Sequence, residues 1–463
     1  MRCGVKTVSQ LVNHVPSGVE ERESLFPWRG KVLAFALIWA LVCPAGAGTL
    51  RKSDRRFLNG VYRDTWACLA QFVSPTTGLP YDSSRRAPAT STTNIGFYMA
   101  ACAVAGRTGL ISPAESKTRL EAALTSLEKV PRFLGGFPVT WVHVDTLQST
   151  ENQFSTVDHL SNLTASLLVV KGILPDLAGR IDKILTPMNW GDLYDPRRGW
   201  YKGGWRLDKK DFDIEQKGWQ WYYSFLAADT RFGSVWGIGT GQVPLESWEE
   251  LNRGRETKYG LSYFVPGWQG GGLFMAFVTG IFLDERQTEI GKSAADFAWA
   301  QITHADRMSS PVWGWSASES PDGKSYLGWG AISDNVVTPH ASGLAAIYYP
   351  RHAVANLRQL EKRRVRAPFK GGERSRCGFR DSFDWRANRV SETYLCLDQA
   401  MMFLSLANVL HDGVVWKAVG VDPHVQRARR EISTYTTLND TSASLYAERD
   451  ALSVGTKSKF SQK

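Results

Sequence analysis

Apolar residues at helical spacing recur along almost the whole chain, and this pattern constrains the fold more than any other feature of the sequence. Roughly eleven segments carry it. The predicted helices are residues 64–73, 94–108, 113–130, 156–174, 177–185, 219–236, 271–282, 288–304, 341–348, 352–362 and 392–411. No fixed repeat period relates them, which argues against a helical solenoid. A mainly α-helical protein is therefore expected.

The connections between these helices are dense in Trp, Gly and Asp, notably residues 137–154, 194–213 and 313–334. Helices that alternate with long aromatic loops are typical of an (α/α) toroid, in which the loops gather at one mouth. We therefore predict an all-α helical barrel for residues 49–420. Apolar residues become sparse beyond this range, so residues 421–463 are predicted to form a disordered tail.

The N-terminal part of the sequence has the pattern of a secretory signal. Arg29 and Lys31 precede an apolar run at 32–43, and small residues follow at 44–48. A run of about 12 residues is too short to cross about 30 Å of hydrocarbon comfortably. Residues 1–48 are therefore predicted to be a signal peptide with an unusually long basic region. The mature protein is expected to be periplasmic or secreted, without a stable membrane anchor.

The net charge of +10 raises the question of a nucleic-acid partner. However, seven Lys and Arg residues fall within residues 362–376, between two apolar stretches. Such a segment is typical of a solvated loop, so we expect no nucleic-acid partner and keep a polyanion site as the alternative.

Cysteine spacing argues against a structural metal site. Beyond residue 48 the chain contains Cys68, Cys102, Cys377 and Cys396, in no C-x-x-C spacing and with no adjacent His. We expect no metal or organic cofactor. A disulfide such as Cys377 to Cys396 and four free buried thiols remain equally open.

Tryptophan is abundant, and 16 of the 18 Trp residues lie beyond residue 48, many beside Gly and Asp. Indole faces stack on the C–H faces of sugar rings, and neighbouring carboxylates and amides bind sugar hydroxyls. The pattern therefore indicates a carbohydrate cleft, although core packing is the alternative for any single Trp. The Trp residues beside Gly or Asp in loops are Trp190, Trp200, Trp205, Trp268, Trp313, Trp315 and Trp329.

Carboxylates supply the chemistry that the cleft would need, because glycosidic hydrolysis uses one protonated acid and one ionised partner. Motifs for dinucleotide, nucleotide-phosphate, metalloprotease or serine-hydrolase sites are absent from usable contexts. The candidate carboxylates are Asp145, Asp158, Asp229, Glu319, Asp334, Glu392 and Asp398. Asp145 and Asp334 are equally explained as turn residues, and Asp158 as a helix-start residue.

Short motifs in a characteristic order extend over about residues 60–417. They are Asp64-Thr65-Trp66, Thr77-Gly78-Leu79-Pro80, Thr93-Asn94-Ile95-Gly96-Phe97-Tyr98, Phe154-Ser155-Thr156-Val157-Asp158 with Asn162-Leu163, Trp313-Gly314-Trp315-Ser316-Ala317-Ser318 with Pro321-Asp322-Gly323, Gly378-Phe379-Arg380-Asp381-Ser382-Phe383, and Leu397-Asp398-Gln399. In this order the chain resembles the glucoamylase-like and endo-β-1,2-glucanase group of glycoside hydrolases.

The resemblance implies an (α/α)6 toroid that hydrolyses a β-glucan, most readily a β-1,2-linked one. It makes an oligosaccharide or polysaccharide the expected partner of a monomeric enzyme. Asp229 and Asp398 are the leading acid/base pair and are expected to face each other across the cleft, with Asp158, Glu392 and Asp334 next. The expected substrate-binding residues are Trp141, Asp145, Arg231, Trp268, Trp313, Trp315, Asp334 and His340. Four of these, Trp141, Trp268, Trp313 and Trp315, are expected to line one cleft.

Two departures from the family pattern keep other functions open. Where the family commonly has Ser-Glu-Ala-Arg, this chain has Ala-Asp-Thr-Arg at 228–231, and Met275 stands where many relatives place a carboxylate. A shift of about 1 Å can matter greatly for catalysis. The alternatives are a non-catalytic glycan-binding protein and a polysaccharide lyase that cleaves an acidic polymer.

The signal pattern predicts that the exported protein begins near Gly48, because the small-residue site ends there. N-terminal sequencing of protein recovered outside the cytoplasm checks this. An intact N-terminus recovered from the membrane fraction would contradict it.

Overall fold

The computed structural model describes residues 50–216, 219–267, 272–328, 335–367, 377–435, 438 and 441–452. Within these residues the α-helices are α1 (Lys52–Gln71), α2 (Thr92–Arg107), α3 (Pro113–Leu127), α4 (Val157–Ile173), α5 (Ala178–Leu185), α6 (Arg231–Thr240), α7 (Glu246–Glu249), α8 (Gly272–Phe282), α9 (Glu289–Arg307), α10 (Pro339–Ala345), α11 (Pro350–Lys362), α12 (Cys396–Leu410), α13 (Val414–Gly420), α14 (Pro423–Glu431) and α15 (Thr441–Ala451). The prediction of a mainly α-helical protein is confirmed.

The helix ends follow capping chemistry that the sequence displays. Ser91 caps α2 by accepting a hydrogen bond from Asn94 N at 3.2 Å. Ser112 caps α3 in the same way, with Glu115 N at 3.0 Å and Pro113 at the first helical position. The predicted helix over 219–236 is wrong in its first part, because two short strands and a loop precede α6.

Short strands occupy the loops between the helices. In chain order they are β1 (Ala89–Ser91), β2 (Arg132–Phe133), β3 (Phe137–Pro138), β4 (Trp141–His143), β5 (Gln153–Ser155), β6 (Tyr194–Asp195), β7 (Trp200–Lys202), β8 (Gly204–Arg206), β9 (Asp211–Asp213), β10 (Glu215–Gln216), β11 (Trp219–Gln220), β12 (Tyr222–Tyr223), β13 (Arg255–Lys258), β14 (Leu261–Phe264), β15 (Ser318–Glu319), β16 (Tyr326–Leu327), β17 (Val336–Val337), β18 (Phe383–Asp384) and β19 (Arg389–Val390). They pair antiparallel in sheets of two or three strands. Two of these sheets, β5-β8-β9 and β12-β7-β6, place residues of the site described below.

Helices α2, α4, α8 and α12 are buried on almost every face, as expected for helices that are apolar all round. Helix α2 packs on α4, α4 on α6 and α8, α8 on α10, α10 on α12, and α12 on α2. The backbones approach closely at Gly96, where a Cβ atom would lie 2.9 Å from Leu163 Cα. Helix α1 packs on α12, α3 on α2, α9 on α8, and α13 on α4.

The prediction of a disordered tail from residue 421 is wrong for the parts that the structure describes. Helix α14 buries Val425 and Ala428. Farther along, Asp450 is buried and accepts a hydrogen bond from Arg351 N at 3.0 Å, at the start of α11. Arg449 pairs with buried Asp296 at 2.6 Å. Charged side chains with specific partners and a few buried apolar side chains together hold these segments.

The four cysteines beyond residue 48 are free and buried, so no Cys377–Cys396 disulfide forms. Cys68 lies beside Cys377 instead, and burial together with this neighbour raises the pKa of the Cys68 thiol. None of the helices in the described ranges is long and apolar enough to cross a membrane. The predicted signal peptide lies outside the described residues, as does most of the basic segment 362–376.

The packing of the C-terminal segment predicts that Asp450→Ala lowers the free energy of unfolding by about 2 kcal/mol or more, because it leaves buried backbone N–H groups of α11 without an acceptor. Asp176→Ala is the control, since that side chain is 83% exposed and makes a 3.7 Å ion pair with Lys117. Urea unfolding of both variants measures the difference. Equal unfolding midpoints would show that the hydrogen bonds of Asp450 add nothing to stability.

Candidate active site

A cavity of about 1170 Å³ opens where several of the central helices begin. The first turns of α2, α4, α8 and α12 reach it, as does the loop just before α6. Side chains of the short strands and the long loops complete the wall. The lining residues are Asp82, Arg85, Ser91, Thr93, Asn94, Trp141, Glu151, Gln153, Phe154, Ser155, Asp158, His159, Asn162, Trp221, Tyr222, Tyr223, Ser224, Phe225, Ala228, Asp229, Thr230, Val265, Pro266, Gly267, Phe274, Met275, Glu319, Gly323, Lys324, Ser325, Tyr326, Leu395 and Leu397.

Asp158 and Asp229 form a carboxyl pair on this wall. Both side chains are half-buried. The Tyr223 hydroxyl donates a hydrogen bond to Asp158 Oδ1 at 3.0 Å. Burial, followed by the negative charge of Asp158, raises the pKa of Asp229 to about 8. At neutral pH Asp229 therefore holds a proton beside a second carboxyl group.

Local structure explains why these two carboxyl groups lie on the same wall. Strand β5 ends one residue before Thr156, whose Oγ1 donates to Gly203 O at 2.9 Å, and α4 then begins with Asp158 in its first turn. Asp229 lies in the loop after β12, which backbone hydrogen bonds fix from two sides. Asn252 N donates to Ser224 O at 2.6 Å, and Gly267 N donates to Ala227 O at 2.8 Å.

Two further carboxyl groups, those of Asp82 and Glu319, line the same cavity. Asn94 Nδ2 donates to Asp82 Oδ1 at 2.7 Å, and burial raises the pKa of Asp82. Glu319 accepts hydrogen bonds from Arg85 Nη2 and Thr393 Oγ1, both at 2.7 Å. Glu319 was among the carboxylate candidates of the sequence, whereas Asp82 and Arg85 were missed. Their position in a loop between α1 and α2 carries no helical or strand pattern that would mark them.

Aromatic side chains provide flat surfaces in the cavity. Trp141 lines it as predicted and packs edge-on against His159, with ring centroids 5.5 Å apart. Trp221 also lines it and lies directly on glycine backbone, since a Cβ atom at Gly203 would be 2.0 Å from Trp221 Cδ1. Trp221 and Tyr223 were missed because the segment around them was predicted to be helical.

Trp313 and Trp315 do not line the cavity. They are 6% and 1% exposed, and their backbone is held by Asn356 and Gln301. The expectation that they join Trp141 in one cleft is therefore wrong, because the Trp-Gly-Trp segment packs into the protein interior. Trp268, the fourth member of that set, lies outside the described residues.

Asp398 is also outside the cavity, so the expected pairing with Asp229 across a cleft is wrong. Asp398 is 2% exposed, and its Oδ2 lies 2.8 Å from His340 Nδ1. It also hydrogen-bonds the buried carboxyl group of Asp381. Burial raises the pKa of Asp398 to about 7 and that of Asp381 well above its ordinary value. Two adjacent buried carboxyl groups cannot both carry a charge, so this pair retains a proton.

His340, expected to bind substrate, is 2% exposed and contacts other protein groups. Its Nδ1 lies 2.6 Å from Thr338 Oγ1 and its Nε2 lies 2.9 Å from Ser316 Oγ. Burial lowers the pKa of His340 to about 4, which keeps the ring neutral. The cluster of Asp398, His340 and Asp381 thus supports the cavity wall from the protein interior. The link is Asp381 Oδ2, which accepts a hydrogen bond from Glu319 N at 2.6 Å.

Arg231 was expected to bind substrate and is instead 1% exposed. A guanidinium group has five N–H donors. Nε and Nη2 bind the Glu285 carboxylate at 3.2 and 2.7 Å. The remaining donors reach the carbonyl oxygens of Leu226, Ala228 and Ala276 at 3.3, 3.5 and 3.3 Å. With every donor used inside the protein, Arg231 has none left for a sugar.

The remaining predicted residues lie away from the cavity or outside the description. Asp145 is exposed and accepts a hydrogen bond from Ser74 Oγ at 2.7 Å, as expected for a turn residue. Glu392 is exposed and is not part of the cavity wall. Asp334 lies outside the described residues. In the described part of the chain, no group of three or more His, Cys, Asp and Glu side chains is arranged to hold a metal ion.

Two segments of the chain match known family models. Residues 227–422 match the family model Glycoamylase, described as "Putative glucoamylase". Residues 61–191 match a family model described as a protein of unknown function, DUF3131. The resemblance drawn from the sequence motifs is confirmed. Asp158 comes from the second of these segments and Asp229 from the first, so the carboxyl pair joins the two.

Solved structures share the fold of this chain. The chain is 20% identical to a glucoamylase-like protein from Bacteroides fragilis, with a TM-score of 0.69 over 84% of this chain and 98% of that one. It is 18% identical to an endo-β-1,2-glucanase from Chitinophaga pinensis, solved with sophorotriose and glucose, with a TM-score of 0.69 over 84% and 100% of the two chains. At these identities the likeness establishes the fold.

A curated relative is the cyclic β-(1,2)-glucan synthase NdvB of Rhizobium meliloti. It is 26% identical over 58% of this chain and 9% of its own length. The chain thus spans about a tenth of the curated relative that it matches.

The raised pKa of Asp229 predicts a pH-dependent stability. The unfolded carboxyl group releases its proton near its ordinary pKa of 3.8, whereas the folded one holds it to about 8. The contribution of Asp229 to the free energy of unfolding therefore falls as the pH rises from about 4 to about 8. Above this range that contribution stays constant. Asp229→Asn removes the titrating group, so the variant gains stability relative to wild type across this range. Urea unfolding at several pH values measures the gain, and a gain that does not vary with pH would contradict the assignment.

Proposed function

We propose that this protein is a glycoside hydrolase that cleaves β-1,2-linked glucan in the cavity described above. The observation that carries the proposal is the Asp158 and Asp229 pair, in which one carboxyl group has a raised pKa and its neighbour lies within its electrostatic reach. Glycosidic hydrolysis requires a proton donor for the leaving oxygen and an ionised partner for water or the anomeric carbon. The aromatic walls and the glucanase-like fold agree with this chemistry.

The proposed architecture is an (α/α)6 toroid. Its support is the closed series of contacts from α2 through α4, α8, α10 and α12 back to α2, with α6 packed on α4 as the sixth helix and further helices packed outside. The first turns of four of these helices reach one cavity. Such an arrangement brings loops that are far apart in the chain to one mouth.

In the proposed mechanism Asp229 is the general acid. Its raised pKa keeps the proton in place at neutral pH, and transfer of that proton to the glycosidic oxygen allows the C–O bond to break. Asp158 is the ionised partner, which either activates water or attacks the anomeric carbon. The Tyr223 hydroxyl donates to Asp158 Oδ1 and so orients this carboxylate. No metal or organic cofactor is needed for these steps.

The proposed substrate class rests on the relatives and on the cavity wall. The Chitinophaga pinensis glucanase was solved with sophorotriose, and NdvB is a cyclic β-(1,2)-glucan synthase. Trp141 and Trp221 offer indole surfaces on which sugar rings can stack. Asp82 and Glu319 are placed to accept hydrogen bonds from sugar hydroxyls.

A polymeric glucan also agrees with the proposed location. We infer that the protein acts in the periplasm or outside the cell, on the strength of the signal pattern at residues 29–48. In that setting it would meet extracellular polysaccharide rather than cytoplasmic sugars.

A non-catalytic glycan-binding protein is the second candidate, and Met275 favours it. This side chain lines the cavity where many relatives have a carboxylate, and Asp229 is one methylene shorter than the usual Glu. Such a protein would keep the aromatic walls and bind glucan without turnover.

The hydrolase proposal predicts that Asp229→Asn and Asp158→Asn each lower kcat on β-1,2-glucan by about 10²-fold or more, because each removes one half of the acid and base chemistry. Wild-type activity is also expected to fall as pH rises through about 8, where Asp229 loses its proton. Product release measured by chromatography against pH checks both points. Asp145→Asn is the matched control, since this carboxylate lies outside the cavity.

The outcomes separate the candidate functions. Loss of turnover in both cavity variants but not in Asp145→Asn supports hydrolysis. Glucan binding by calorimetry without any turnover by the wild type supports the binding protein. Products that absorb through a new carbon–carbon double bond would identify a lyase.

A further inference from the structure

The C-terminal segment reaches the proposed active site through a buried chain of hydrogen bonds. Tyr435 is 4% exposed, and its hydroxyl donates to Glu285 Oε1 at 2.7 Å. The same carboxylate holds the Arg231 guanidinium, at the first residue of α6. Tyr435 lies beyond the matched segment 227–422, in a part of the chain that carries no glucoamylase motif.

Neighbouring contacts hold Tyr435 in place. Its ring packs against Trp248 with centroids 5.4 Å apart, and Trp248 Nε1 donates to Thr434 Oγ1 at 2.8 Å. Helix α14 packs closely on α6 at Gly239, where a Cβ atom would lie 2.2 Å from His424 O. The segment that carries Tyr435 is therefore docked on the helix that Arg231 begins.

Arg231 transmits this contact to the loop of Asp229. Its Nη1 donates to the carbonyl oxygens of Leu226 and Ala228, on the N-terminal side of Asp229. Its Nη2 donates to Ala276 O, next to Met275 on the cavity wall. A guanidinium that is planar and fully bonded fixes these segments relative to one another.

We propose that Tyr435 is a positioning residue for Asp229, acting through Glu285 and Arg231. The proposal rests on the proposed hydrolase function, since it concerns the placement of the general acid. The Tyr435 hydroxyl holds one oxygen of Glu285, and this oxygen sets the angle of the guanidinium that grips the Asp229 loop. A displacement of about 1 Å in a catalytic group can cost a large factor in rate.

The test compares Tyr435→Phe with Tyr349→Phe. Each variant removes one buried hydroxyl group that has one or two protein partners. Tyr435 itself belongs to the C-terminal part of the chain, and the Tyr349 hydroxyl binds Arg449 of that part. Tyr349 donates to Ala295 O and accepts from Arg449 Nη1, each at 3.2 Å, away from the cavity. Tyr435→Phe is expected to lower kcat on β-1,2-glucan about tenfold with KM within about twofold, whereas Tyr349→Phe leaves both unchanged.

Amide hydrogen exchange in residues 224–232 supplies a readout that needs no turnover. Exchange there is expected to be faster in Tyr435→Phe and unchanged in Tyr349→Phe. Equal kcat values in the two variants would overturn the positioning role. If the wild type turns over no glucan, the proposed function fails by itself, and equal exchange rates in the two variants would then overturn the positioning role separately.

Discussion

The ion pair between Arg231 and Glu285 is the interaction on which the geometry of the cavity depends. Both side chains are almost fully buried, and each oxygen of Glu285 accepts at least one hydrogen bond. A buried ion pair adds little net stability compared with apolar packing, but removing one partner typically costs about 3–5 kcal/mol. Its main effect here is geometric, because one guanidinium joins the start of α6, the preceding loop and α8.

Depth in the protein separates the carboxyl groups by role. Asp158 and Asp229 are half-buried at the cavity wall, where a proton can pass to a ligand. Asp381 and Asp398 lie beneath the wall, where burial keeps at least one of them neutral. The buried pair contacts the cavity wall at Glu319, whose backbone N–H donates a hydrogen bond to Asp381 Oδ2. In the proposed mechanism aspartates at the cavity wall carry out the chemistry, whereas the buried aspartates support the wall.

Most of the helices could be predicted from the sequence because their burial follows a helical period or covers every face. The helix predicted over 219–236 failed because aromatic residues in short strands mimic that period. Residue roles were harder, since a Trp in a loop can line the cavity, as Trp221 does, or lie in the interior, as Trp315 does. Local sequence does not distinguish these cases, because burial depends on segments far away in the chain. Asp158 and Asp229 were both named from the sequence, but their pairing with each other was not.

The C-terminal residues show why composition alone was misleading. Polar and charged side chains dominate there, which is typical of a solvated tail. In the structure Asp450 and Arg449 instead find buried partners, and such pairs leave no periodic pattern. Contacts of this kind cannot be predicted from the sequence of the segment, because they depend on the positions of partners elsewhere in the chain.

Two glycines that pack against the Trp221 ring, Gly203 and Gly204, help to determine the shape of the cavity. A Cβ atom at Gly203 would overlap the indole, and one at Gly204 would lie 2.6 Å from Trp221 Cζ3. Both glycines contact the face of the indole that points away from the cavity. A side chain at either position would therefore push the ring into the cavity. The contour that a sugar meets is therefore set partly by two missing side chains. Changes at these positions could narrow the cavity without altering a single residue that faces it.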